Sequence, residues 1–300
     1  LAVTAVSAWR PNLTNEARAV FSRDDLHWDR PHPEIPTLFS GDGTVLPGSP
    51  AFYEYRNRSR SLELADNLLW TSGRHLLKAG AGLLSRRLDG LLSAGRDGLY
   101  VFGDILDFSL DSPGFFSTSL ARRSLPDLRQ PEFPREYRYR QFFLFAQDTF
   151  KAASRLALNY GIRYETFGAP SNTGAVKDGL VEVGAGPDFP SRLAAARLVY
   201  AGAGDQTLYP ADRNNWAARF GFSYDLRGTL VRGAYGVFYD RPFENLWQNL
   251  RNNDVVLGGF PTSSFQTSYL TPIPTVLRAY QGRRFNTDFP PLTLVQPGLR

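Results

Sequence analysis

Three groups of ionisable side chains are placed where chemistry is conceivable. The first is a loop that sets His27 and His32 among Asp24, Asp25, Asp29 and Glu34. Imidazole and carboxylate together bind zinc, but this spacing matches no ligand pattern, and Pro31 and Pro33 break any helix that could align the ligands. A solvated loop is the expected outcome. The second group pairs Asp148 with Glu165 and the third Asp225 with Arg219, as acid and base. Acid–base catalysis needs two groups with separated pKa values in a closed pocket. The surrounding pattern instead strings these side chains along strands, where cross-strand ion pairs on a wet wall are expected. Gly41-Asp42-Gly43 holds part of a calcium loop without the other ligands and is expected to be a turn. His75 is expected to be an interfacial polar residue beside a turn. There is no G-x-S-x-G, phosphate-binding loop, G-x-G-x-x-G or H-E-x-x-H. The absence of Cys removes disulfides and thiolate metal sites. The expectation is a protein that is not an enzyme, with no catalytic residue, cofactor or metal.

The elements that carry these charges are strands. Residues 155–165 alternate almost without fault: Leu156, Leu158, Tyr160, Ile162 and Tyr164 on one face, Arg155, Ala157, Asn159, Gly161, Arg163 and Glu165 on the other. Successive strand side chains point to opposite faces, and the run is long enough for a tilted strand to cross a bilayer. In residues 216–225, Trp216, Ala218, Phe220, Phe222 and Tyr224 oppose Ala217, Arg219, Gly221, Ser223 and Asp225. In residues 231–239, Val231, Gly233, Tyr235, Val237 and Tyr239 oppose Arg232, Ala234, Gly236 and Phe238. In residues 74–86, Leu77, Ala79, Ala81 and Leu83 oppose Lys78, Gly80 and Gly82. An apolar face against a charged or small one, with aromatic ends, is the pattern of a membrane β-barrel with a wet interior. Lys78, Arg163, Glu165, Arg219, Asp225 and Arg232 are then expected to face the lumen, since a charge facing lipid at mid-depth costs about 2–4 kcal/mol. Along 137–150 both faces are apolar, and Phe143 and Phe145 are expected to face lipid. Trp9, Trp70, Trp216, Tyr164 and Tyr239 near strand ends suit an interfacial girdle.

Composition agrees. No stretch nears the roughly eighteen apolar residues of a membrane helix, and aromatics reach 14%. The net charge of +5 is carried by dispersed arginines, with Lys78, Lys151 and Lys177 the only lysines. Nucleic-acid binding needs a clustered basic patch instead. The chain starts at Leu1 with no Met, as expected of a fragment or a processed piece, and shows no signal-peptide pattern.

Four hairpins are predicted, within residues 1–23, 61–86, 137–167 and 216–240. Their turns are Pro11-Asn12-Leu13-Thr14, Ser72-Gly73, residues 151–154 and Arg227-Gly228, short and rich in turn formers. Long loops, 24–60, 87–136, 168–215 and 241–300, separate them. Loops of that length count against a simple soluble sandwich, whereas short turns alternating with long outer loops are the rule in outer-membrane barrels. Short helices are predicted at 104–110, 243–250 and 191–200. The fold class expected is all-β: a partial transmembrane antiparallel barrel of about eight strands, with residues 1–300 forming part of one barrel domain.

Five stretches, ADNLLWTSGRHLLKAGAG (65–82), YVFGDILDFSL (100–110), FFLFAQDTFKAASRLALNYGIRYE (142–165), LYPADRNNWAARFGFSYD (208–225) and LVRGAYGVFYDRPFENLWQNL (230–250), resemble the barrel of TonB-dependent outer-membrane receptors, in particular the Oar-like branch. The tail PPLTLVQPGLR (290–300) looks like the lead-in to that family's next strand. The resemblance implies a bacterial outer-membrane receptor or transporter with a barrel of about 22 strands. Its outer loops would catch an unknown extracellular ligand, and uptake or export would be gated. Its implied partners are outer-membrane lipid, an N-terminal plug and TonB, the last two outside this chain, and not nucleic acid. The alternatives are a non-transporting adhesin or scaffold barrel, and a soluble β-sandwich that binds glycans.

Overall fold

The computed structural model describes residues 1–49, 53–240, 246–264 and 267–295. Eight strands form one antiparallel meander in chain order: β1 (Ala2–Arg10), β2 (Leu13–Trp28), β3 (Tyr53–Ser72), β4 (His75–Ala94), β5 (Arg135–Ala153), β6 (Leu156–Thr166), β7 (Asn215–Leu226) and β8 (Thr229–Gly236). β1 and β8 do not pair, so this wall is an open sheet. Four hairpins build it. The β7–β8 turn takes positive φ at both Arg227 (49°) and Gly228 (99°), the twist that a two-residue hairpin demands. β3 and β4 run 20 residues each, about twice what a tilted membrane strand needs. Their upper halves therefore rise beyond any bilayer.

Register fixes the faces. Row by row, Tyr160, Phe220 and Tyr235 stand opposite one another, as do Arg163 and Ala217. The alternation has no second layer beneath it: Phe220 is 50% and Tyr235 75% exposed. A sandwich would bury these rows, so the soluble-sandwich alternative fails here. Two carboxylates interrupt the apolar face, and neighbours hydrogen-bond to both. Asp66 accepts from Asn15 Nδ2 at 2.8 Å, and Asp148 contacts His75 Nδ1 at 2.6 Å and the Tyr160 hydroxyl at 2.7 Å. Polar groups on a lipid-facing surface need such internal partners.

The long loops are not irregular. Pieces of three of them assemble a second sheet in the order Asn286–Asp288, Val255–Pro261, Phe115–Ala121, Leu99–Phe102 and Thr37–Ser40, the last pair parallel. Against it lies the helix Ile273–Tyr280, which buries Ile273, Val276, Leu277 and Tyr280, the spacing of a one-sided apolar stripe. Tyr100, Phe102, Phe116, Leu120 and Phe260 complete a dry core. This cap also closes over the upper wall, where Leu88 and Tyr137 pack with Leu208 and Leu250.

The local expectations divide. The helix at 104–110 is seen as Ile105–Ser109, with Asp104 capping the Asp107 N–H. The stretch 191–200 is only half helical: Phe189–Ala194 is a helix, and Arg197–Tyr200 is a strand paired with Gly179–Glu182. Asp188 caps that helix at its start, while Val199 and Tyr200, a β-branched and an aromatic residue, favour the strand. The helix expected at 243–250 is seen from Leu246 to Arg251; residues 241–245 lie outside the described residues. In the tail, residues 296–300 also lie outside them, and Thr293 is tied to Asn253 through its N–H and C=O at 2.7 and 2.9 Å.

Candidate functional site

The polar face of β4–β8 gathers the charged residues into one groove of about 1010 Å³, lined by Lys78, Arg163, Arg219 and Arg232 among others. Three of these four cations are positioned by their strand and by an aromatic neighbour. Arg163 donates to Glu165 on its own strand at 2.9 Å and lies over the Phe143 ring at 4.2 Å. Lys78 sits over Phe145 at 5.9 Å and Arg219 over Phe238 at 4.7 Å. Cation–π contact steadies a charge without neutralising it. Among the described residues, Arg232 has no ion-pair or side-chain hydrogen-bond partner. Glu165 is the carboxylate bonded to Arg163. Asp225 shares the face but sits at the β7–β8 turn, where it accepts the Gly228 N–H at 3.0 Å.

Three expectations are corrected here. Phe143 and Phe145 lie on the polar face, in register with Gly82 and Gly80. The reason is space: a Cβ at Gly80 would come within 2.7 Å of the Phe145 ring, and one at Gly82 would collide with Phe143. Glycines across from aromatics are a readable cue for this pairing. Phe142 and Leu144 take the apolar face instead. Asp148 and Glu165 are on opposite faces and cannot act as a pair. Arg219 and Asp225 share a face but form no ion pair, because the ring of Phe238 and the turn N–H respectively hold them.

The histidines are also separated. His27 lies 3.7 Å from Asp25, and His32 contacts Glu34 at 3.0 Å. Hydrogen bonding from its own backbone, followed by that contact, pulls the Glu34 carboxyl below its ordinary range. Among the described residues no group of three or more His, Asp or Glu is placed to hold a metal. Gly41-Asp42 forms a turn in which the Asp42 carboxylate accepts from the Ser40 hydroxyl (2.5 Å) and the Thr44 N–H (2.9 Å), and these hold its pKa at about 2.

Residue spacing gave no sign of the buried clasp that seats the cap on the wall. Asp178, fully buried, accepts from Arg135 Nε (3.2 Å), the Tyr137 hydroxyl (3.0 Å) and Asn172 Nδ2 (2.7 Å). The Gln206 amide brackets its backbone with two bonds of 2.9 Å. A second clasp within the cap joins Asp254 to Arg123 (2.8 Å) and Tyr200 (2.9 Å). Burial, followed by the nearby Asp254 charge, drives the Tyr200 hydroxyl well above its ordinary pKa. A buried charge is tolerable only when paired and hydrogen-bonded in this way. Only the local Asn and Asp turn signals near 172 and 178 hinted at ordered backbone. The arrangement as a whole offers an electropositive, aromatic-lined groove under a folded cap.

A family model described as outer membrane beta barrel domain matches residues 1–297. Among solved structures, the chain is similar to the ferric-catecholate import receptor Fiu from E. coli K12 in its closed form, at 11% identity with a TM-score of 0.41. That likeness covers 88% of this chain and 38% of the receptor, so the chain spans well under half its length. No curated protein matches.

Proposed function

Because the chain belongs to the outer membrane β-barrel domain family and resides in the bacterial outer membrane, we propose that it is the wall and outer cap of a receptor that passes a ligand through its lumen. The apolar face meets lipid, and the polar face of β4–β8 lines the path. The observation that carries this reading is the cationic groove: Lys78, Arg163, Arg219 and Arg232 line it, with Glu165 bonded to Arg163 as the nearby counter-charge. A scaffold barrel has no need of excess charge held in place by aromatic rings. The cap above it captures ligand, and its Oar-like, TonB-dependent character, with a plug retained by the groove arginines, is part of the same proposal. No covalent chemistry is assigned to it.

Planar-bilayer conductance of the intact protein, opened by unfolding its plug with urea, tests the reading. Anion-selective current is expected, and Arg163→Glu with Arg219→Glu and Arg232→Glu should shift the reversal potential toward cations. An unchanged reversal potential contradicts the lining role, and a barrel that never conducts supports the scaffold alternative.

A further inference from the structure

The outer face changes character abruptly along four neighbouring strands. Going up each strand beyond the large apolar residues of its lower part, the next charged residue is an arginine: Arg23 after Phe21 on β2, Arg60 after Leu62 on β3, Arg87 after Leu83 and Ser85 on β4, and Arg140 after Phe142 on β5. Register places Arg23 opposite Arg60, Arg60 opposite Arg87 and Arg87 opposite Arg138. Like charges directly across a sheet repel, so this ladder is unfavourable by itself. Among the described residues none of these five arginines has a carboxylate within ion-pair distance. The next row up, Asp25–Arg58–Asp89–Glu136, carries three carboxylates, none of them within ion-pair distance of these five arginines, and its Asp25 is already bonded to Arg58 at 3.1 Å. Arg23, Arg60, Arg87 and Arg140 are exposed, while the Nε of half-buried Arg138 is enclosed without a partner.

Directly below this border the apolar face is hollowed. Ala5, Ala17, Ala19 and Ala81 line a trough of about 530 Å³ that runs from Val3 on β1 to Phe142 on β5, with Leu64 in its middle. The alanines lie on β1, β2 and β4, and β3 between them contributes Leu64 and Asp66, whose carboxylate is bonded to Asn15, so the trough is a shallow and mainly apolar hollow. A row of guanidinium groups above this hollow has the layout of an amphiphile: acyl chain below, anionic headgroup above. Guanidinium binds phosphate through paired, charge-assisted hydrogen bonds.

We propose that the Arg23–Arg60–Arg87–Arg138/Arg140 border, with the alanine trough beneath it, is a binding site for a phosphorylated glycolipid of the outer leaflet. The phosphate relieves the repulsion along the ladder, and the acyl chain fills the trough. The occupant is membrane-anchored, because the arginines lie where the apolar face ends and the hollow opens into the same surface. This site is on the opposite face from the groove of the proposed transport path, so either assignment can fail without the other.

Native mass spectrometry of the intact protein in detergent, titrated with diphosphoryl lipid A, reads the site. Retained lipid is expected, with affinity falling roughly tenfold for each arginine removed in Arg60→Gln and Arg87→Gln, and lost in the quadruple variant that adds Arg23→Gln and Arg140→Gln. Arg129→Gln, an exposed cap arginine, serves as the control and should bind as the parent does. Heat-modifiable gel mobility confirms that each variant is folded. Ala17→Leu with Ala81→Leu, which fills the trough and leaves the charges, should also weaken binding. Unaltered binding by the folded quadruple variant overturns the proposal. So does equal retention of a dephosphorylated lipid A, which would mean that apolar contact alone holds it. Displacement by inorganic pyrophosphate at the lipid's own concentration would make the site one for free phosphate and overturn the lipid assignment.

Discussion

The wall and the cap are both built of β-strands, yet opposite arrangements hold them together. In the lower wall, Phe220 and Tyr235 stay exposed on one face and the arginines of the groove lie on the other, so this part of the sheet has no core and depends on what bathes each face. In the cap, Phe116 and Phe260 are wholly buried, and a four-residue stripe of helix Ile273–Tyr280 seals them. The wall is a membrane structure whose lipid replaces a second layer. The cap makes its own interior from distant loops.

The largest expected effect breaks this contrast at its strongest point. Phe260→Ala opens the cap core and should cost about 3–5 kcal/mol of cap stability. Phe220→Ala, whose lost contacts are with lipid, should cost roughly half of that or less. Denaturant unfolding in micelles, followed by protease protection of the cap, checks both, and equal losses would mean that the cap core is not dry. Charge gives the next largest effect. Phe220→Arg should cost about 2–4 kcal/mol in reversible folding into phospholipid bilayers, whereas Ala234→Arg on the polar face should stay within about 0.5 kcal/mol.

The smallest effect is confined to the cap. Asp42 has its pKa lowered to about 2 by the Ser40 hydroxyl and the Thr44 N–H. A depressed carboxylate stabilises the folded state above its unfolded value of 3.8 and loses that contribution as pH falls through the folded value. The stability difference between the parent and Asp42→Asn should therefore be flat above about pH 5 and shrink between about pH 4 and pH 2. An NMR titration of the carboxyl reads the same shift directly.

How much could be read in advance follows from the same contrast. The wall was legible because period-two alternation and short turns are local signals: residues 155–165 and the Arg227-Gly228 turn each contain what is needed to place them. It misled where both faces are apolar, at Phe142 to Phe145, where the deciding cue was across the sheet at Gly80 and Gly82, and in the ion pairs expected of Asp148 with Glu165 and of Asp225 with Arg219. The cap was illegible because its partners are distant. Thr37–Ser40 pairs in parallel with Leu99–Phe102, and Phe115–Ala121 with Val255–Pro261, pairings that no turn announces. Of the groove, the cations were legible as strand positions. Their aromatic supports and the Asp178 clasp were not, since both depend on residues brought together only by the fold.

The central claim is that neighbouring residues of β7 meet two different solvents. The chain has no Cys, so single cysteines placed at 218 through 223 in the intact protein can each carry a spin label. Collision with lipid-dissolved oxygen and with a water-soluble nickel chelate, measured by electron paramagnetic resonance in bilayers, reads the two faces separately. The account predicts oxygen access at 218, 220 and 222 and chelate access at 219, 221 and 223. Similar values at all six positions, or low access to both quenchers at 220 and 222, would contradict it.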